Sequence, residues 1–214
     1  MKRNISLIFA VAVLAIGCNK DPDPVSKVVD VTYPTITLKG PAIVHIPVNG
    51  TFTDDGATLT DDVTGAVSDI SATVNEIDAT TEGIYAVRYI ASNANGFKTE
   101  VVRTVLVKDY TPPANLDPNF DISGTWVRTN GIVNNVVKID NGLYVMDNFA
   151  GSTAVYPAYM VTPDTTSFDI PEQTAFGLHL ECTNETILSS NPFTVKYIVS
   201  ASGFGTQFRT FIKQ

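Results

Sequence analysis

Histidine, cysteine and positive charge are all scarce in this 214-residue sequence, and each shortage excludes something. The two histidines, His45 and His179, lie far apart in apolar alternating segments. With two cysteines, Cys18 and Cys182, they cannot supply the four clustered ligands of a structural zinc site. No serine sits in a Gly-x-Ser-x-Gly elbow, and neither a GxGxxG nor a GxxxxGK[ST] cradle occurs, so no nucleotide cofactor is expected. Lysine and arginine number 14 against 22 acidic residues, for a net charge of -8. An acidic surface repels phosphate backbones and gains nothing from anionic lipids, which excludes nucleic acid as a partner. A sustained 3.6-residue apolar period is missing, so helices should be minor. So is an apolar run of the roughly 20 residues that a membrane helix needs.

Ile5 to Ile16 is an uninterrupted stretch without charge, behind the basic start Lys2-Arg3. It suits the apolar region of an export signal. It leads through Leu14-Ala15-Ile16-Gly17 into Cys18, which resembles a bacterial lipobox except that Ala15 stands where most such boxes have Leu. The resemblance implies cleavage before Cys18 and acylation of its thiol, giving a membrane partner through lipid rather than through a helix. Cys182 would then have no disulfide partner and should pack as a small apolar residue. Residues 18–32 read as acylated Cys and tether; Asp21-Pro22-Asp23-Pro24 keeps it extended. Its acidic run resembles the surface-export signals of Bacteroidota lipoproteins, implying an outer-membrane location facing the exterior.

What remains is rich in Thr, Val, Ile, Tyr and Phe, a mix that favours strands. Over residues 33–108, short strand-like segments alternate with turn residues, as in a sandwich. In Gly83 to Ala91, Tyr85, Val87, Tyr89 and Ala91 share one face at period two. Asn93-Ala94-Asn95-Gly96 reads as a hairpin turn, and Val101, Val105 and Val107 share a face on the return. The series Pro34-x-Ile36-x-Leu38-x-Gly40, Asp54-Asp55-Gly56-Ala57, Gly83-x-Tyr85-x-Val87-x-Tyr89, Asn93-x-Asn95-Gly96 and Arg103-Thr104-Val105-x-Val107 resembles a bacterial Ig-like domain. That family is named after the Ig-like domain of pesticidal crystal proteins and is frequent in Bacteroidales surface lipoproteins. It implies a spacer or adhesive module without catalytic residues.

Residues 109–119 carry three prolines and read as a semi-rigid linker, able to separate two domains by up to roughly 30 Å. Residues 120–214 read as a second, antiparallel β-domain. Gly124-x-Trp126 resembles the first strand of lipocalin-like barrels, and Thr194–Ser200 with Thr206–Ile212 reads as a closing hairpin. Together with Gly142-Leu143-Tyr144-Val145-x-Asp147, the segment resembles the C-terminal domain of two-domain Bacteroidales lipoproteins, a family that brings no activity with it. The expected class is all-β: an N-terminal Ig-like β-sandwich followed by a C-terminal antiparallel β-barrel or sandwich.

Candidate chemistry is sparse. Asp54, Asp55, Asp61 and Asp62 could offer oxygen ligands to calcium, but they lack the spacing of a dedicated loop and read first as turn residues and solubilising charge. No spacing sets two carboxylates among Asp147, Asp164, Asp169, Glu172 and Glu181 for glycoside hydrolysis, so a non-catalytic role is expected. Phe149, Tyr156 and Tyr159 fall in a Gly/Ser/Pro-broken stretch that reads as a long loop. Exposed rings in a loop suit stacking against sugar faces, which makes these three the candidate ligand-binding residues. The reading expects a glycan-binding accessory module of a polysaccharide-uptake system, beside outer-membrane transporter proteins. The competing reading is a structural or adhesive lipoprotein that contacts protein, with the Ig-like domain as a stalk.

Overall fold

Period-two alternation becomes strand throughout a computed structural model that describes residues 30–214; Cys18 and the export signal lie outside the described residues. The first seven strands are β1 (Thr35–Leu38), β2 (Ile43–Ile46), β3 (Ala57–Thr60), β4 (Val67–Ile70), β5 (Val74–Asn75), β6 (Gly83–Ser92) and β7 (Lys98–Val107). Antiparallel β1-β3-β4 forms one layer of a sandwich. The other layer is β6 and β7, with β2 parallel to β7 and β5 beside β6. Strands β6 and β7 pair without a break from Gly83↔Val107 to Ser92↔Lys98. The turn between them is built as the sequence predicts. Gly96 takes φ +86°, and Asn93 Oδ1 accepts from the backbone N–H groups of Asn95 and Phe97.

The faces also fall as expected. Val87, Tyr89, Val105 and Val107 are buried with Ile36, Ile46 and Ala57, and Tyr85, Ala91 and Val101 pack against them. The opposite face of β6 and β7 differs from that of a free-standing sandwich. Ile84, Ala86 and Leu106 are fully buried there. Ile84 and Leu106 belong to the apolar cluster of the C-terminal half. Each gains about 1.5–3 kcal/mol from burial, so this face needs a cover.

The cover is built from β8 (Gly124–Arg128), β9 (Val133–Asp140), β10 (Leu143–Met146), β11 (Ala158–Val161), β12 (Gln173–Ala175), β13 (Leu178–Ser190), β14 (Phe193–Ser200) and β15 (Phe208–Lys213). These eight pair in the order β11-β10-β9-β8-β15-β14-β13-β12, each antiparallel to its neighbour. The two ends of that order meet. Val161 and Asp169 exchange a pair of backbone hydrogen bonds at 2.9 Å. Beyond them Gln173 stands in for a strand residue: its Oε1 accepts from Tyr159 N at 2.8 Å and its Nε2 donates to Tyr159 O at 3.0 Å. The sheet thereby closes into a barrel, which leaves few unpaired edge groups.

The barrel interior is filled. Trp126 is fully buried, and its Nε1 donates to Ile122 O at 2.9 Å. Tyr197 stacks on Phe211 with centroids 5.6 Å apart, and Phe168 meets Tyr197 edge-on. All four residues of β10 are buried, because one face lines the interior and the other is covered from outside.

The proline-rich segment is not the extended spacer that its composition suggests. Tyr110 donates from its hydroxyl to Asn141 O at 3.0 Å, Asn141 Nδ2 donates to Leu116 O, and Leu116 is buried. Gly142, at φ +82°, lets this segment approach: a Cβ there would lie 2.8 Å from Tyr110 Oη. Strand β12 also pairs with β6, parallel, at Ala175↔Ile84. Residues 32–214 therefore form one compact unit. The physical reason is the apolar outer face of β6 and β7, which water would otherwise wet.

Candidate functional site

The three aromatic candidates are not an exposed platform, and this corrects the sequence reading. Phe149 is fully buried, packs on Phe204 at 5.7 Å, and belongs to the barrel cluster. Tyr159 lies in β11 rather than in a loop and is 3% exposed. Its ring carries the Lys108 ammonium 4.9 Å above its centroid, and burial pushes its hydroxyl pKa up. Both rings are too apolar to stay in water when a core can take them. The segment around Phe149 is folded down rather than free. Asn148 and Ser152 exchange two hydrogen bonds, Phe149 N donates to Tyr156 O, and Arg128 Nη1 donates to Gly151 O at 2.8 Å. Tyr156 alone of the three stays half-buried and faces a cleft.

That cleft holds about 440 Å³ and lies where the outer face of β6 and β7 parts from the barrel. Arg88, Val102 and Thr104 line it from the sandwich; Asp147, Tyr156 and Phe176 line it from the barrel side. Its volume falls within the roughly 300–1,000 Å³ of small-molecule sites. Phe176, which the sequence reading did not single out, owes its place to an unusual backbone. It stands at φ +51° beside Gly177 at φ +77°, and its N–H donates to Ile84 O. The tight turn before β13 therefore presents the ring at the sandwich edge.

The polar groups of the cleft are held by neighbours. The Arg88 guanidinium lies 5.6 Å above the Phe176 ring. It bonds Glu100 Oε1 at 2.6 Å and Glu76 Oε1 at 3.4 Å. The Glu100 carboxylate, then Glu76, holds its pKa above the ordinary arginine value. Asp147 receives Asn135 N on one oxygen and Asn135 Nδ2 on the other, both at 2.8 Å. Each carboxylate oxygen has a further lone pair for an incoming hydroxyl. Two rings beside fixed acceptors can stack an apolar face and orient the polar groups at its edge.

The acidic candidates divide into two structural roles. Asp54 accepts from the Tyr89 hydroxyl and lies 3.3 Å from Arg103 Nε. Asp55 lies against Gly40. Asp61 caps the turn after β3, accepting from Val63 N and Thr64 N, and also holds Ala94 N at 2.8 Å. The Thr64 N–H bond in particular keeps its pKa below the ordinary aspartate value. Asp62 accepts from Asn93 Nδ2 at 2.9 Å. Asp54 and Asp61 thus spend oxygens on the fold, and among the described residues no three His, Cys, Asp or Glu side chains converge as metal ligands. The calcium option gains no geometry from this placement. Cys182 is free and buried, and burial pushes its thiol pKa well up, which is the packed, unreactive state expected of it.

These features define a class: an all-β protein in which an Ig-like sandwich is joined face-on to an antiparallel barrel. Residues 36–107 match the family model described as bacterial surface protein, Ig-like domain. The chain is also similar to a crystal structure of a lipoprotein from Bacteroides thetaiotaomicron. The two are 20% identical, the match covers 85% of this chain and 100% of that one, and the TM-score is 0.41. No curated protein matches the chain. Among the described residues no helix is long and apolar enough to cross a membrane.

Proposed function

We propose that this protein is a non-catalytic lipoprotein of the outer membrane, acylated at Cys18 and facing the exterior, that binds carbohydrate in the cleft between sandwich and barrel. The observation that carries the reading is the pairing of Tyr156 and Phe176 with Arg88 and Asp147 around about 440 Å³. Sugar rings present apolar C–H faces to aromatic side chains and hydroxyls to carboxylates, and the cleft offers both. An outer-membrane transporter as partner would place such a module in polysaccharide uptake. The filled barrel suits this division of labour, since ligand would be held outside it.

Protein contact remains the second reading, favoured by one specific observation. On the outer wall of the barrel, Ile212, Val127 and Val133 stand side by side across β15, β8 and β9, with Val133 49% exposed. A stalk role for the sandwich fits less well, because one of its faces is buried against the barrel.

Binding of an oligosaccharide panel by calorimetry, on the protein and on Tyr156→Ala and Phe176→Ala, tests the proposal. Each substitution should weaken the sugar that binds about tenfold or more. Thermal unfolding should stay cooperative for Tyr156→Ala, with the midpoint lowered by the lost packing on Phe204. A sugar that binds equally well to both variants would move the site elsewhere, and silence across the panel with the fold intact would reject the reading.

A further inference from the structure

We propose that the cleft selects neutral sugars and rejects anionic ones, an inference that rests on the carbohydrate reading above. The argument is electrostatic. Anionic glycans, with uronate, sulfate or phosphate groups, are recognised through cations with free hydrogen-bond donors. One cation lines this cleft, Arg88. Its charge is already committed, to Glu100 at 2.6 Å and to Glu76 at 3.4 Å, and its planar face is turned to Phe176 at 5.6 Å. With Asp147, three carboxylates thus stand against a single guanidinium. An incoming anion would find Arg88 paired and the surroundings negative. The charge of the whole chain, -8, adds to that repulsion.

A neutral sugar meets no such penalty. Its hydroxyls donate, and the groups waiting for them are acceptors: the Asp147 oxygens and the Thr104 hydroxyl, with the carboxylates on Arg88 just behind. Its C–H faces meet Tyr156 and Phe176, whose half-buried rings still have apolar surface to cover. Arg88 orients a ring here rather than capturing charge. The two acids that neutralise it set the selectivity, although neither is itself one of the lining residues.

Affinity electrophoresis of the full protein through gels containing a neutral mannan, polygalacturonate or soluble chitosan separates the possibilities. The expected result is retardation by the neutral polymer, insensitive to added salt, with free passage through polygalacturonate. In the double variant Glu76→Gln/Glu100→Gln, which frees Arg88, retardation by polygalacturonate should appear, reversed by salt as a charge contact requires. Its thermal midpoint, read alongside, reports that the fold persists. Wild-type retardation by polygalacturonate or by chitosan, lost in Tyr156→Ala, would overturn the neutral assignment while leaving carbohydrate binding in place. Free passage through all three gels would overturn the carbohydrate reading and this inference with it.

Discussion

The sandwich encloses seven buried apolar residues, whereas the cluster that fills and covers the barrel holds twenty-three, Ile84 and Leu106 of the sandwich among them. Each half nevertheless buries one cation, Arg103 in the sandwich and Arg209 in the barrel, and holds it differently. The sandwich supplements its thin core with a buried cation. Arg103 is 1% exposed and donates to the carbonyls of Pro41, Lys39 and Gly56, tying the β1–β2 turn to the start of β3. Asp54 balances the charge at 3.3 Å and in turn holds the Tyr89 hydroxyl. The barrel sets Arg209 on the carbonyls of Gln207 and Phe204, closes its seam with Gln173 and fills its interior with rings. A thin apolar core thus leans more heavily on its one buried cation than a large core does.

The sharpest way to break this comparison is to remove the ring at the base of the barrel. Trp126→Ala should cost about 4 kcal/mol, the usual range for losing a fully buried aromatic. Because the outer face of β6 and β7 shares the barrel's cluster, the sandwich should lose stability in the same cooperative transition. Denaturant unfolding followed by Trp-independent circular dichroism reads both. Two separated transitions, with the sandwich unmoved, would show that the halves are energetically independent despite their contact.

The converse substitution, Arg103→Met, keeps volume but takes the Arg103 donors from three carbonyls and leaves the Asp54 carboxylate without its counter-charge. About 3 kcal/mol should be lost, somewhat less than for the tryptophan because Asp54 is partly exposed and water can reach it. Arg103→Met with Asp54→Asn should recover part of the loss, since the unpaired charge goes with it. No recovery in the double variant would mean that the carbonyl contacts, and not the ion pair, carry the energy.

How much of this was legible in the sequence follows from what a period of two can and cannot say. It shows which residues share a face, and Tyr85, Val87, Tyr89 and Ala91 do. It does not show whether the other face is wet. In β6 that other face carries Ile84 and Ala86, and in β7 Leu106, a sign that both sides are covered. Strand β4 went unread because Val67, Ser68 and Asp69 are all exposed and show no alternation. Strand β12 is three residues long, and its link to β11 runs through the Gln173 side chain, which no pattern encodes. β15 falls within the segment read as a closing hairpin, yet its inward set contains Arg209, which binds the carbonyls of Gln207 and Phe204. The aromatic candidates failed for the same reason: Phe149 and Tyr159 are as apolar as core residues, and a loop-like composition does not keep a ring in water. Tyr156 survived, and Phe176 was missed because its position depends on a left-handed backbone turn.

The smallest expected effect separates the halves by pH. In the sandwich, hydrogen bonds lower the carboxyl pKa values: from Thr64 N to Asp61, from Thr32 and Asn93 to Asp62, and from Thr80 to Asp78. A lowered folded pKa contributes stability that is present above the unfolded value, about 3.9 for Asp, and is lost as pH falls through the folded value. In the barrel Asp121 and Asp164 are lowered too, but two carboxyls shift the opposite way. Burial raises Asp169 and Glu185, and Glu185 Oε1 is buried without a hydrogen-bond partner, on the face of β13 that also carries Ile187. A raised folded pKa means the native state takes up a proton before the unfolded chain does, so stability increases as pH falls from neutral towards the ordinary carboxylate range. Hydrogen exchange corrected for the intrinsic rate should therefore show barrel amides that exchange by local opening around β13 better protected near pH 5 than at pH 7, with locally exchanging sandwich amides unchanged until below about pH 4. Glu185→Gln should raise barrel protection at pH 7 and flatten most of its pH response. If the sandwich and barrel curves instead move together in the variant and in the parent, Glu185 has no private role and the two regions answer to acid as one body.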